Sequence, residues 1–101
     1  MKNFSDNNYI KSEYKKINNL FLQGKFNLVI EKTKKIIKKI PNQIPFYNLL
    51  ALSYRETNKI LSAEQILSDA LKISPNNQSL LVNLGATYRV LFEFEKSEKC
   101  F

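Results

Sequence analysis

A pattern of apolar and small residues recurs along this chain every 34 positions. Ile17, Ala51 and Gly85 stand in register, as do Leu20, Tyr54 and Tyr88. So do Phe26, Ile60 and Phe94, then Val29, Ala63 and Ser97, then Thr33, Leu67 and Phe101. Pro41-Asn42 returns as Pro75-Asn76, Leu50 as Leu84, and Arg55 as Arg89. A short fixed period constrains the fold strongly. Each unit is too small to bury its own apolar face and must stack on its neighbours.

The clearest copy runs from Asn42 to Asn77. Tyr47, Leu50, Ala51 and Tyr54 follow the i, i+3, i+4, i+7 spacing of one helix, and Ala63, Ile66, Leu67, Ala70 and Leu71 that of a second. The polar segment Glu56-Thr57-Asn58-Lys59 separates them. Both stripes are wider than an isolated surface helix needs, so each helix is expected to touch several others. Small residues at 51, 63, 70 and 85 suit close helix crossings. Pro75 ends the second helix, because a proline ring disfavours helical geometry in the residue before it.

The same reading places a first helix over about Tyr9 to Leu22, with Ser5 or Asp6 as its cap and Gly24 as the break. A second runs from about Phe26 to Ile40, with Phe26, Val29, Ile30, Thr33, Ile36, Ile37 and Ile40 on one stripe. Lys32, Lys34, Lys35, Lys38 and Lys39 cover the rest. Asn42 is the expected cap of the third helix, with Pro45 tolerated in its first turn. A fourth spans about Ile60 to Ile73. A fifth starts at Asn76 or Asn77 and ends near Leu91, and a sixth begins at about Glu93.

The motif carried by Tyr47, Leu50, Ala51, Tyr54, Ala63, Leu67, Ala70 and Pro75, at this period, resembles the tetratricopeptide repeat (TPR). The third copy carries it in Leu81, Leu84, Gly85, Tyr88, Ser97 and Phe101. The first keeps Ile17, Leu20, Gly24, Val29 and Pro41 but has Lys16 where leucine is usual. The resemblance implies an all-α fold: a right-handed solenoid of antiparallel helix pairs, about two and a half to three repeats long. It makes residues 1–101 a single TPR domain with repeats at about 10–43, 44–77 and 78–101, the last truncated. HEAT-type arrays have a longer period and fit less well.

The resemblance also implies a function: the first helix of each pair lines a concave groove that binds a peptide or partner helix. The matching positions are Tyr14, Asn18 and Phe21, then Asn48, Leu52 and Arg55, then Asn83, Ala86 and Arg89. Arg55 and Arg89 recur one repeat apart, so their guanidinium forks could pair with the carboxylates of an acidic ligand. Asn48 and Asn83 can both donate to and accept from a peptide backbone. Asn83 matches the asparagine ladder in the TPR region of O-linked N-acetylglucosamine transferase, from which Asn48 is displaced by one residue. The carboxylate clamp of chaperone-binding TPR domains is not supported. Asn18 fits one of its positions, but Tyr14, Leu49, Val82 and Ala86 stand at others.

Composition narrows the alternatives. Sixteen lysines and arginines against nine acids give a net charge of +7. The lysine run of the second helix could neutralise phosphates, but it contains no arginine and no interleaved aromatic for base stacking. A solvated face is the expectation, and nucleic acid is disfavoured as a partner. With no histidine, Ser–His and Cys–His nucleophile pairs cannot form within the chain, and there is no glycine-rich phosphate loop. No enzyme activity, cofactor or metal is expected. The lone Cys100 fits a reducing compartment. The N-terminal segment lacks a signal-peptide core, and no apolar run approaches the ~20 residues of a membrane span. A cytoplasmic protein with no membrane association is expected.

The sequence stops inside the second helix of the third copy. This is read as the front of a longer protein. The alternatives to a peptide-binding scaffold are a recognition arm ahead of a glycosyltransferase, sulfotransferase or methyltransferase domain, which the resemblance suggests, and a homo-oligomerisation module. The uncovered last repeat is expected to drive homo-oligomer formation through Leu91, Phe94 and Phe101.

Overall fold

A computed structural model describes the backbone of residues 7–99 and the side chains of residues 7–93. Five helices follow one another: α1 (Asn7–Leu22), α2 (Phe26–Lys39), α3 (Ile44–Glu56), α4 (Ile60–Ile73) and α5 (Gln78–Lys99). There is no strand among the described residues. Ser5 and Asp6, the expected caps of α1, lie outside them.

The turns repeat as faithfully as the sequence does. Helix α1 ends with Gly24 at φ 76°, and α3 ends with Asn58 at φ 63°, 34 positions later. Both are left-handed conformations, accessible to glycine and tolerated by asparagine. Around them the backbone bonds coincide: Gly24 N–H donates to Phe21 O and Lys25 N–H to Leu20 O, while Asn58 N–H donates to Arg55 O and Lys59 N–H to Tyr54 O. This pair of bonds satisfies the last free carbonyls of a helix. The exits of α2 and α4 match too, with Ile40 at φ −135°, ψ 76° and Ser74 at φ −136°, ψ 79°. A 34-residue unit is therefore repeated in backbone geometry.

Helix starts depend less on side chains than expected. Gln43, not Asn42, is the N-cap of α3, and it makes no side-chain cap bond. Pro45 lies in the first turn, where its missing N–H has no helical partner to lose. The Tyr47 hydroxyl fastens this corner by donating to Pro41 O at 2.7 Å. The expected cap of α5 does form, with Leu80 N–H donating to Asn77 Oδ1 at 3.1 Å.

The helices form two rows. Helices α1, α3 and α5 touch in succession, and each even helix packs between the odd helices on either side of it. Among the described residues α2 and α4 do not meet. The odd row is thus crowded and the even row fanned apart. Two cores fill the space between. Ile17, Val29, Ile36, Phe46 and Leu49 join α1, α2 and α3, while Tyr47, Ala51, Ala63, Leu67, Ala70 and Leu80 join α3, α4 and α5. Helix α3 serves both cores, which is why its neighbours Phe46 and Tyr47 are both buried although they point in different directions.

The third unit departs from expectation. No sixth helix begins at Glu93, and α5 does not stop near Leu91; it runs on to Lys99. The reason lies in the turn. The position of Gly24 and Asn58 is occupied in the third copy by Phe92. A left-handed conformation costs a bulky residue about 1–2 kcal/mol, and no glycine, asparagine or proline nearby relieves it. Continuing the helix avoids that cost. Consequently no helix among the described residues crosses over Gly85, and a Cβ there would meet nothing within 4 Å.

Candidate interaction surface

The candidate groove residues lie on the odd row, and the two seams between its helices differ in chemistry. Between α1 and α3 the seam is apolar. Tyr14 meets Phe46 edge to face at 5.8 Å. Ile10, Lys11, Tyr14, Pro45 and Phe46 line an open pocket of about 390 Å³ at the N-terminal ends of the two helices. Phe21 turns aside to pack edge-on against Phe26 of α2, with ring centroids 5.3 Å apart.

Between α3 and α5 the seam is polar. Asn83 Nδ2 donates to Asn48 Oδ1 at 2.6 Å, and Asn48 Nδ2 donates to Ser79 Oγ at 3.1 Å. Arg55 Nη1 donates to Asn83 O at 3.2 Å and to Thr87 Oγ1 at 3.3 Å. Thr87 in turn donates to Asn83 O at 2.8 Å from a fully buried position. Asn48, Asn83 and Arg55 are thus brought together, and they clamp neighbouring units to each other. The bonds occupy one nitrogen of the Arg55 guanidinium.

Shifting the polar seam back by one repeat explains the difference. Asn48 becomes Tyr14, Arg55 becomes Phe21, Asn83 becomes Leu49 and Thr87 becomes Ser53. Phenylalanine at 21 has no donor, and the buried Ser53 hydroxyl is left without a hydrogen-bond partner. Ser53 holds the position that Thr87 holds in the second seam, without the arginine that gives Thr87 a partner there.

Of the remaining candidates, Asn18, Leu52 and Ala86 are half-buried on the odd row, and Arg89 is exposed. Leu91 is half-buried, while the side chains of Phe94 and Phe101 lie outside the described residues. Sequence reasoning missed Ile10, Lys11, Pro45 and Phe46 of the pocket and Ser79 and Thr87 of the seam. The adjacent aromatics Phe46-Tyr47 were the available signal for a helix buried on two sides.

The lysines of α2 at 32, 34, 35, 38 and 39 are all exposed on the even row. Lys35 sits 3.6 Å from Glu31 in a solvent-exposed pair, of the kind that contributes little to stability. Among the described residues no group of three potential ligands could hold a metal, and no helix is long and apolar enough to cross a membrane. No protein-family model matches the chain, and no curated protein matches it.

Proposed function

We propose that this chain is a TPR-type segment of a right-handed solenoid that binds a peptide or partner helix along the face of α1, α3 and α5. The observation that carries this reading is the contrast between the seams on that face. An open apolar pocket at Ile10, Tyr14 and Phe46 offers a place for one anchoring side chain. One unit further along, amides and a guanidinium offer hydrogen bonds and positive charge. An amphipathic peptide with an apolar anchor and an acidic or carbonyl-rich flank fits both. The crowding of the odd row against the fanned even row supports its assignment as the concave side.

Selection from a random peptide display library on the immobilised chain tests the proposal. The expected binders share an apolar anchor and an acidic flank, and Ile10→Glu weakens them at least tenfold. Binders indifferent to Ile10→Glu in a protein of unchanged helicity would overturn it. Arg55→Glu is a poor probe, because Arg55 also bonds Asn83 and Thr87 and its loss loosens the stack.

A further inference from the structure

Helix α5 carries an apolar stripe that α3 and α4 leave largely uncovered, bordered by Tyr88, whose hydroxyl donates to Glu64 Oε2 of α4 at 3.3 Å. Leu80 and Thr87 are buried on one side of it; on the other, Leu81, Val82, Tyr88 and Phe92 are exposed by 47%, 66%, 50% and 64%. At about 100° per residue, positions 81, 85, 88 and 92 fall in one narrow stripe. Gly85 makes a gap at its middle, with nothing within 4 Å of a Cβ built there.

The structure contains the pattern for what covers such a stripe. One repeat earlier the equivalent residues are Tyr47, Ala51 and Tyr54, and α4 covers them after the chain reverses at Asn58. That hairpin opposes residues at equal distances from the reversal. In the third unit the reversal would fall at Phe92, where the helix runs straight on instead.

We infer that a second copy of this chain covers the α5 stripe, the two α5 helices lying antiparallel about a two-fold axis near position 91. The opposing length of helix is supplied by the other copy, as in domain swapping, and the axis is the one that sets Arg89 against Glu93. Charge favours this occupant. Arg89 and Glu93 are both exposed, lie on one edge of the stripe, and stand on either side of the axis. Each Arg89 therefore faces Glu93 of the other copy. Phe92 packs beside the axis, and the C-terminal turns of each α5 cross the gap over Gly85 of its partner. The stripe lies apart from the pocket between α1 and α3 and from the Asn48–Asn83–Arg55 seam, so peptide binding there and pairing can fail independently.

Sedimentation equilibrium on the 101-residue chain tests the inference, with helicity checked by circular dichroism. The expected result is a monomer–dimer equilibrium that Arg89→Glu weakens at least tenfold. Combining Arg89→Glu with Glu93→Arg restores it, because the pair is rebuilt with its signs exchanged. Phe92→Asn, which supplies a residue that tolerates the reversal, gives a monomer. A helical chain that stays monomeric at every concentration overturns the inference. So does a dimer indifferent to Arg89→Glu, or one that the double exchange fails to restore.

Discussion

Ser53 and Tyr47 are buried polar residues on one helix with opposite circumstances. The Ser53 hydroxyl is buried without a partner, and an unsatisfied buried group of this kind costs about 1–3 kcal/mol. Ser53→Ala is expected to raise the unfolding free energy by about 1 kcal/mol, measured by urea denaturation. Equal or lower stability would mean that the hydroxyl is satisfied in solution. Tyr47 has its partner in Pro41 O, and Tyr47→Phe should lower stability by about 1 kcal/mol. Burial pushes the Tyr47 phenol above its usual range, and the Asp69 carboxylate adds to the shift. The stability tied to the neutral phenol is therefore complete below about pH 10 and is lost as pH rises through the higher value of the folded state. Alkaline unfolding should be shallower in Tyr47→Phe, which a denaturation series from pH 8 to 12 would reveal.

At the level of elements, one backbone position per repeat decides whether the chain reverses. Gly24 has open space around its Cα, so Gly24→Ala carries only the conformational cost of φ 76°, about 1–2 kcal/mol. Asn58→Gly should instead stabilise by up to about 1 kcal/mol, since glycine adopts the same angle freely. Equal thermal midpoints for these two variants would count against the left-handed turns. Helix positions were largely legible from the sequence: α4 falls on Ile60–Ile73 as its stripe indicates, and α1 and α2 differ by a residue or two at their ends. The long α5 was not, because apolar periodicity continues smoothly past position 91 and does not register whether a turn residue is present. The Gly24, Asn58, Phe92 series carries that information, in backbone tolerance instead of hydrophobicity.

For the molecule as a whole, the repeat explains the architecture and the departures from it explain the candidate surfaces. Small residues at 51, 63 and 70 and the large Leu67 fill the α3–α4–α5 core as their spacing indicates. The polar clamp was only half legible: asparagines and arginine stood out, whereas Ser79 and Thr87 acquire a role only from the packing of α5 against α3. The pocket was less legible still, since Pro45 and Phe46 acquire a role only from the approach of α1. An apolar seam beside a polar one makes the odd-helix face chemically graded, and this gradation underlies the proposed binding of an amphipathic peptide.

The most direct test of that binding is a titration of the isotopically labelled chain with a library-selected peptide, followed by amide chemical shifts. Binding on the odd row predicts the largest changes at Ile10, Tyr14, Asn18, Leu52 and Arg55, with the lysines of α2 unmoved. Changes centred on Lys32, Lys35 and Lys39 of the even row would contradict it.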